Sequence, residues 1–436
     1  MRGQFDRSIG RFISRTTCRF CEGSNLVQVL DFGYFPLAGG FLKEKEFPNE
    51  TYYPFNLNLC EDCFLVQMSN VVPADVLFRE NYFFFSSAIR TLVDHFTAFA
   101  GEIHTRFLKD KARPSAFELG CNDGVLLKPL AGLGVRAVGI DPATNVVQSI
   151  HASDYDVIND YFTERRAIDI RREYGQFDVF LSSYSFAHID DMIDIMKGVK
   201  CLLKDEGVLV IEIYYLGTLI DELQYDMIYH EHMSYYSLLA LKSFLQNYDM
   251  EIFDVKYIPG IRSGSVRFYA RNIGQRTDVV SGAVGKMAEY EREREFNRVG
   301  TYARYARRVA ATRDQLLGVL DDVKNEGKTI IGYGASGRGT IIMNYCGIDR
   351  RYLDYVVDDA PAKQGFYTPG THVPIRSWDY VRESGRPDYA VLFAWAFTDE
   401  VLIKRQDYIE QGGKFIIPLP EVKIICKERQ HDRVGK

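Results

Sequence analysis

The sequence predicts an α/β protein with a small cysteine-bearing N-terminal domain followed by two doubly wound sheets. Two C-x-x-C pairs lie within the first 65 residues. From residue 116, a strand, a glycine turn, a helix and a second strand follow one another, and strands then alternate with helical stretches up to residue 213. A second glycine turn, G-x-G-x-x-G, begins at residue 332. Such alternation is typical of mostly parallel sheets with helices on both faces.

Length and composition fit a folded protein of roughly two to four domains. The 436 residues are 46% hydrophobic and 26% charged, and the net charge of -6 argues against a general nucleic-acid-binding surface. No apolar run is long enough to cross a bilayer, and residues 1–15 lack the apolar core of a secretory signal. We therefore expect a cytoplasmic monomer without nucleic-acid or membrane partners.

Four of the eight cysteines form the two close pairs, Cys18 with Cys21 and Cys60 with Cys63. Two such pairs can bring four thiolates to one tetrahedral centre, which suits structural zinc. A four-cysteine site leaves no open position for water, so its role is folding rather than chemistry. A redox-active C-x-x-C or two disulfides is the alternative, which the lack of a secretory signal disfavours.

A run of aromatic residues, 82–85, follows the cysteine module and precedes Ser86 and Ser87. These side chains could line a cofactor or sugar pocket, with a serine hydroxyl bound to a carboxylate or hydroxyl of the ligand. They could equally form the edge of a core before the N-cap of a helix over residues 88–107.

The stretch 116–141 carries the cofactor prediction. Its second strand ends in Asp141, about 20 residues beyond the glycine turn, where an acidic residue suits the hydroxyls of a ribose. The turn lacks G-x-G-x-x-G and contains carboxylates, so it favours adenosine with a cationic or amino-acid group over a dinucleotide. A flavodoxin-like turn with chance glycines is the alternative.

In a doubly wound sheet the cofactor lies over the carboxyl ends of the strands. Tyr161 or Phe162 could stack on adenine, although either could equally pack on the neighbouring helix. The residues predicted to contact the cofactor at these strand ends are Glu118, Gly120, Asn122, Asp123, Gly124, Asp141, Pro142, Asp160, Tyr161, Phe162 and Ser183.

The segment 226–237 follows the predicted strand 208–213 and is the candidate catalytic loop. It contains Tyr229, His230, Glu231 and His232. A histidine can take a proton near neutral pH, a glutamate can orient it, and a tyrosine can donate to a developing oxyanion. A metal site on His-x-His and a purely structural aromatic loop are the alternatives, and the H-E-x-x-H spacing is absent.

Residues 286–324 read as one long charged helical region with a single buried apolar stripe. The glycine turn beyond it predicts, taken alone, a dinucleotide or pyrophosphate at a helix N-terminus, with Arg338 near the anion. NAD is the direct reading of that turn. The predicted domains are 1–75 for zinc, 76–280 for the cofactor, 281–326 as a helical connector and 327–436 as a second Rossmann-like unit.

Several motifs stand in one order along the chain. They are the two cysteine pairs, the Phe-Ser-Ser turn at 85–87, E-x-G-x-N-D-G at 118–124, and the segments 139–146, 186–189 and 229–232. This series resembles the three-domain sugar C-methyltransferases, which methylate carbon 3 of nucleotide-linked 4-keto-deoxysugars. The resemblance covers nearly the whole chain. It implies structural zinc, a class I S-adenosylmethionine (SAM) methyltransferase domain, and a C-terminal domain that helps to hold the nucleotide-sugar diphosphate.

The resemblance also implies residue roles. His232 would remove the carbon-3 proton, Glu231 would orient its imidazole, and Tyr229 with His188 would stabilise the enolate oxygen. Spacing alone does not choose between His230 and His232 as the base. Ser87 would join the cofactor residues. The implied substrate-binding residues are Tyr82, Phe84, His230, Arg267, Gly334, Ser336, Arg338, Asp358, Lys363 and Trp395.

Three departures from the family pattern predict an atypical sugar. Residues 261–267 stand where the family often has His-Gly-Gly, Phe84 stands where a tyrosine is common, and residues 184–185 lack an asparagine. Three other functions stay open: methylation of another acceptor, such as a sugar oxygen; an NAD-linked reaction at residues 332–339; and non-catalytic nucleotide-sugar binding.

Overall fold

The computed structural model of the protein describes residues 8–79, 84–151, 153–275 and 279–427. Within these ranges the strands form a five-stranded, a seven-stranded and a six-stranded sheet, with a two-stranded ribbon beside the first. The predicted α/β architecture with two mostly parallel sheets is confirmed. Tyr82, assigned above to the substrate, lies outside the described residues.

The five-stranded sheet belongs to the N-terminal cysteine module and is mostly antiparallel. Its last strand comes from much later in the chain, because Ser234–Tyr235, within the candidate catalytic loop, pairs with Val66–Met68. The catalytic loop is thereby held against the N-terminal module. The strands are β1 (Ser8–Ile9), β3 (Leu26–Phe35), β4 (Thr51–Cys60), β5 (Val66–Met68) and β12 (Ser234–Tyr235), with β2 (Ile13–Ser14) and β6 (Asn70–Val71) forming the ribbon.

The seven-stranded sheet follows, and its strands are β7 (Ser115–Leu119), β8 (Arg136–Ile140), β9 (Asp156–Ile158), β10 (Phe177–Ser183), β11 (Leu203–Tyr214), β13 (Met250–Ile258) and β14 (Ser265–Asn272). Their spatial order is β13-β14-β11-β10-β7-β8-β9, and β14 runs antiparallel to both of its neighbours. Strand order reverses between β7 and β10, so a ligand crevice is expected at their carboxyl ends.

Helices cover both faces of this sheet. They are α1 (Arg90–Ile103), α2 (Leu127–Gly132), α3 (Thr144–Val147), α4 (Glu164–Tyr174), α5 (Met192–Leu202), α6 (Leu216–Asp221) and α7 (Leu238–Gln246). The apolar strands β7 and β10 are buried between them: Phe117, Phe177 and Phe180 are inaccessible to solvent and their rings contact one another. Burial on both faces explains why these strands read as continuous apolar runs.

Two helices, α8 (Gly282–Glu293) and α9 (Val299–Asn325), form the connector, which was predicted as one helical region. The break occurs where Glu295 adopts a left-handed conformation with φ of 55° and Phe296 turns into the core at 1% exposure. Tyr302 holds the turn by donating from its hydroxyl to the Phe296 carbonyl at 2.6 Å. The predicted apolar stripe of α9 is buried at Tyr305, Leu316 and Leu320.

The six-stranded sheet has the order β17-β16-β15-β18-β19-β20, parallel except for β20. Its strands are β15 (Ile330–Tyr333), β16 (Val356–Val357), β17 (Ile375–Arg376), β18 (Tyr389–Leu392), β19 (Lys414–Ile417) and β20 (Lys423–Ile425). Its helices are α10 (Gly337–Cys346), α11 (Asp379–Ser384), α12 (Thr398–Lys404) and α13 (Gln406–Glu410).

Short helical turns complete the described chain. They are the 3-10 helices Glu44–Asn49, Ser86–Ala88, Ser185–His188, Tyr225–Met227, Pro361–Lys363 and Trp395–Phe397, and the π-helical turns Asp75–Arg79 and His104–Leu108. Among the helices in the described ranges, none combines the length and the apolar composition that crossing a membrane requires.

The N-terminal module contacts both larger sheets. Arg19, 1% exposed, donates from Nε to Asp190 beside the seven-stranded sheet at 3.0 Å. On the other side, Glu50 accepts from the Gly370 backbone at 2.7 Å and lies 2.8 Å from His372 Nε2. The module therefore braces the cofactor sheet against the C-terminal sheet.

Candidate active site

The four paired cysteines meet in one cluster at the end of β4. Their Sγ atoms all lie within 4.8 Å of one another, with 3.5 Å between Cys18 and Cys63 and 3.6 Å between Cys21 and Cys60. Zinc–sulfur bonds of about 2.3 Å in a tetrahedron place sulfurs about 3.8 Å apart, so the cluster fits zinc. The same separations exclude covalent S–S bonds, the alternative raised from the sequence.

The first glycine turn has the backbone that the sequence predicts. Gly120 and Gly124 have φ of 72° and 78°. A Cβ on Gly120 would lie 1.9 Å from Ser185 Oγ, and one on Gly124 would lie 2.5 Å from the Tyr155 hydroxyl. Side chains are therefore excluded at both positions, which keeps the backbone close to the ligand crevice.

A cavity of about 410 Å³ opens at the reversal point of strand order. It brings together Phe84, His188 and most of the predicted cofactor residues, namely Glu118, Gly120, Asn122, Asp141, Pro142, Asp160, Tyr161, Phe162 and Ser183. Phe162 packs mainly into the core, with ring centroids 5.6 Å from those of Phe117 and Phe180. Tyr161 is therefore the better candidate to stack on adenine.

Two buried carboxylates, those of Glu118 and Asp141, line this cavity. Glu118 Oε2 is buried without a hydrogen-bond partner among the described residues, and burial raises the Glu118 pKa well above its ordinary value. An ammonium group would satisfy it. Asp141 accepts from the backbone N–H groups of Asn122 at 2.8 Å and Ala143 at 2.9 Å, so it also braces the glycine turn. Carboxylate oxygens keep further lone pairs for ribose hydroxyls.

The side chains of Asn122 and Asp123 hold another segment of the protein, although both were predicted to contact the cofactor. Asn122 accepts from the Ser86 backbone at 2.9 Å and donates to the Phe84 carbonyl at 3.0 Å. Asp123 accepts from the Ser87 backbone at 2.9 Å. These bonds fix Phe84 at the cavity wall. Ser86 lines the cavity, whereas Ser87 is exposed.

His232 is buried at 1% exposure between Tyr229 and Tyr214, with ring centroids 3.9 and 4.7 Å away. Its Nδ1 lies 2.8 Å from the Met227 carbonyl. Since a carbonyl only accepts, Nδ1 carries the proton and Nε2 keeps its lone pair. Nε2 is buried without a partner among the described residues. Burial, aided by His188, lowers the His232 pKa well below 6.5, so the imidazole is a neutral base.

The residue that orients His232 differs from the sequence-based expectation. Glu231 was expected to hold the imidazole, but the Met227 carbonyl occupies that position. The Glu231 carboxylate instead faces the N-terminal module: its Oε1 lies 3.9 Å from where a Cβ on Gly39 would be. Burial raises the Glu231 pKa to about 7. The sequence could not show which group bonds to Nδ1 of His232, because every residue has a backbone carbonyl and residue types do not reveal which one lies nearby.

His188 lies beside the base, with ring centroids 5.2 Å apart. Its Nδ1 contacts the Glu231 carbonyl at 2.8 Å, so Nδ1 is the donor and Nε2 an acceptor. Burial lowers the His188 pKa to about 4, which keeps the ring neutral. A neutral imidazole in this tautomer cannot donate from Nε2 to an enolate oxygen. The geometry thus contradicts the role predicted for His188 but leaves it able to accept from a hydroxyl.

Arg262 lines the same cavity and was not assigned a role from the sequence. It donates to the Tyr214 hydroxyl at 2.8 Å and lies over the rings of Tyr184 and Phe84 at 4.3 and 4.8 Å. The only sequence signal for it was the departure from His-Gly-Gly at residues 261–267.

Arg338 joins the C-terminal sheet to the catalytic loop. It donates to Asp226 at 2.8 and 3.1 Å and to the Ser263 hydroxyl at 2.8 Å. Trp395 donates to the same Asp226 carboxylate at 2.7 Å. Asp226 is inaccessible to solvent, and no sequence motif singled it out. Arg338 and Trp395, predicted to bind substrate, are therefore first of all part of a domain junction.

We expect Asp226→Ala to lower the free energy of unfolding by about 3–5 kcal/mol, because it removes the buried carboxylate that accepts from both Arg338 and Trp395. Urea denaturation measures the change. Asp94→Ala, which removes an exposed ion pair with Arg90, is the matched control and should leave the free energy of unfolding nearly unchanged. Equal losses in the two variants would contradict the junction.

Two predicted substrate residues lie away from the cavity. His230 points into the N-terminal module, with its ring 5.0 Å from Phe55 and 5.7 Å from Tyr53. Arg267 is 2% exposed and bound to Glu212 at 2.5 and 2.8 Å. Its guanidinium also donates to Glu102 at 2.9 Å. Those partners occupy the guanidinium, so the predicted contact of Arg267 with substrate is not supported.

The second glycine turn is partly covered by the N-terminal module. A Cβ on Gly337, at the start of α10, would lie 3.4 Å from Ala38. A pyrophosphate lying along this turn, as in NAD sites, would meet that loop, which disfavours the NAD reading. Lys363 donates to the Ala335 carbonyl at 2.8 Å and pairs with Asp358 at 3.5 Å. Ser336 caps α10, and Gly334 has φ of 96°.

Comparison with known proteins assigns each region. Residues 18–78 match a family model described as "Putative zinc binding domain", residues 93–255 match "Methyltransferase domain", and residues 260–420 match "C-methyltransferase C-terminal domain". SAM is accordingly the cofactor of the seven-stranded sheet, where Glu118 and Asp141 fit its amino group and ribose. The four-cysteine cluster holds zinc.

The C-methyltransferase NovU of Streptomyces niveus is 31% identical over 414 residues, which are 94% of this chain and 97% of that protein. A ubiquinone biosynthesis O-methyltransferase of Roseobacter denitrificans is 34% identical over 122 residues, 26% of this chain and 47% of that protein. The SAM-bound magnesium protoporphyrin IX methyltransferase of Synechocystis is 13% identical, with a TM-score of 0.31, over 42% of this chain and 81% of that one. That score is too low to bear on function. The chain therefore belongs to the C-methyltransferase family that joins a zinc-binding domain, a SAM-dependent methyltransferase domain and a C-methyltransferase C-terminal domain.

Proposed function

We propose that this C-methyltransferase acts on carbon 3 of a nucleotide-linked 4-keto-deoxysugar. The observation that carries the proposal is His232, a buried neutral imidazole whose Nε2 has no partner among the described residues. It lies beside His188, which lines the cofactor cavity. Carbon methylation needs a base, and this neutral imidazole can supply one.

Carbon is a poor nucleophile unless a neighbouring carbonyl makes its proton acidic, and a 4-keto group does this for carbon 3. His232 Nε2 takes that proton, and the C–H electron pair becomes the enolate. SAM supplies an electrophilic methyl group. The enolate carbon forms a bond to this methyl as the methyl–sulfur bond breaks, the ketone returns, and the imidazolium later loses its proton to solvent.

The other residues take supporting roles in this proposal. Tyr229, whose ring lies against that of His232, donates to the enolate oxygen. His188 Nε2, an acceptor, binds a sugar hydroxyl. Lys363 contacts the second glycine turn through the Ala335 carbonyl, and we assign the acceptor's diphosphate to that side of the cleft.

A panel of nucleotide 4-keto sugars, incubated with methyl-labelled SAM and read by mass spectrometry, tests the proposal. The panel includes hexoses with and without the 2-hydroxyl. We expect at least one to gain a single carbon-bound methyl group. A label that is released as methyl iodide on heating with hydriodic acid, which cleaves methyl ethers, would instead mark sugar O-methylation. No gain on any member would reject the proposed substrate class.

The pH profile gives a further prediction. Because the His232 pKa is lowered, the base stays unprotonated as pH falls, so the acidic limb of kcat/KM should lie below pH 6.5. Glu231 has a pKa of about 7, so its titration could add to the acidic limb. Glu231→Gln removes that titration and is measured alongside the wild type. In that variant the limb should remain below 6.5. A limb above 6.5 in both proteins would contradict a buried neutral base.

A further inference from the structure

Arg262 lies on the loop between β13 and β14 and lines the cofactor cavity. The loop has an unusual backbone: Arg262, Ser263 and Gly264 have φ of 48°, 64° and 102° in succession. Non-glycine residues seldom adopt such angles, and strain of this kind persists where the surroundings hold it. Arg338 of the C-terminal sheet provides one such restraint through its bond to the Ser263 hydroxyl.

The guanidinium is positioned by aromatic groups rather than by acids. It lies over the rings of Tyr184 and Phe84 and donates to the Tyr214 hydroxyl. Its Nε is buried without a hydrogen-bond partner among the described residues. One donor of a fixed planar group is therefore left for a ligand.

The positive charge of Arg262 is also uncompensated. Across the described ranges no carboxylate lies within 4.0 Å of it, whereas the buried Arg267 pairs with Glu212 and Glu102 and Arg338 pairs with Asp226. Arg262 is half-buried, and a cation that lacks an acidic partner inside a cavity is costly to stability. Such a cation is readily explained when an anion reaches it during the reaction.

We propose that Arg262 binds the enolate oxygen of the acceptor and is a catalytic residue of the methylation. This inference rests on the function proposed above. Tyr214 links the two groups, since its hydroxyl accepts from Arg262 and its ring contacts His232 at 4.7 Å. The cation thus faces the place where the base creates negative charge. His188 cannot supply that donor, because its Nε2 is an acceptor.

The carboxylate of SAM is the other anion that an arginine could bind here. Glu118 and Asp141, which fit the amino group and the ribose, lie at the ends of β7 and β8, whereas Tyr214 lies at the end of β11. We therefore commit to the enolate. The two assignments predict different results. Loss of a contact with the enolate slows proton removal, whereas loss of a contact with the SAM carboxylate weakens SAM binding.

The test compares Arg262→Met, Arg262→Lys and the control Arg136→Met, whose guanidinium is exposed and donates to the Tyr174 carbonyl. Deuterium uptake at carbon 3 of the panel sugars is measured in D2O without SAM, and SAM affinity by calorimetry. We expect Arg262→Met to slow uptake by about 100- to 1,000-fold, with Lys restoring part of the rate and Arg136→Met unchanged. SAM affinity should change by less than about threefold.

Uptake by Arg262→Met within about threefold of wild type would overturn the inference. If SAM affinity alone falls, the residue binds the donor's carboxylate and the enolate assignment is wrong. If the wild-type protein exchanges deuterium on no member of the panel, the proposed function itself fails and this inference fails with it. Exchange by wild type with an unaffected variant would reject only the role of Arg262.

Discussion

His232→Ala should lose methyl transfer by about 100- to 10,000-fold while it still binds SAM. The reason is that its Nε2 is the only basic atom assigned to proton removal, and its Nδ1 is already committed to the Met227 carbonyl. Exchange of the carbon-3 proton for deuterium should fall by the same factor, because exchange needs the base but not the methyl donor. Mass spectrometry follows both reactions in one sample.

His230→Ala is the matched control for this variant. It removes a neighbouring buried imidazole that packs on Phe55 in the N-terminal module. We expect it to lower stability without abolishing exchange. Wild-type-like exchange in His232→Ala, or a larger loss of exchange in His230→Ala, would refute the choice of base.

Loss of zinc should have the second large effect. Cys60→Ser removes one of four ligands at the end of β4, so the zinc content should fall from about one ion per chain to near zero. The N-terminal module braces both larger sheets through Arg19 and Glu50. We therefore expect a loss of several kcal/mol in the free energy of unfolding and a loss of methyl transfer, although none of the four clustered cysteines lines the cavity.

Cys426→Ser provides the comparison, because this half-buried cysteine is remote in sequence from the cluster and outside the metal site. Metal analysis and thermal unfolding of the two variants are measured together. Retention of zinc and stability in Cys60→Ser would contradict a four-cysteine structural site. Cys426→Ser should keep both.

Features set by local sequence were predictable. The glycine turn at 120–124 and the acidic end of β8 follow from residue types at fixed spacing, and so do the paired cysteines. The alternation of strands and helices likewise predicted both parallel sheets. The prediction of a single connector helix was wrong because one residue, Glu295, takes a left-handed conformation between two stretches that each favour a helix.

Features set by distant partners were not predictable. Arg267 was expected to bind substrate, but its guanidinium is occupied by Glu212 and Glu102, which are distant in sequence. Asn122 and Asp123 sit in a cofactor motif, yet their side chains hold residues 84–87. Asp226 gained its importance only from Arg338, 112 residues away in sequence. The tautomers of His188 and His232 depend on backbone carbonyls, which every residue carries.

Carbon methylation and oxygen methylation differ in the bond that the transferred methyl group forms. The acceptor is converted with SAM carrying a 13C-labelled methyl group, and long-range carbon–proton NMR correlations of the product are recorded. We expect the labelled carbon to be attached to carbon 3. The protons of the methyl group should then correlate with carbons 2, 3 and 4 of the sugar. A labelled carbon attached to oxygen would contradict it.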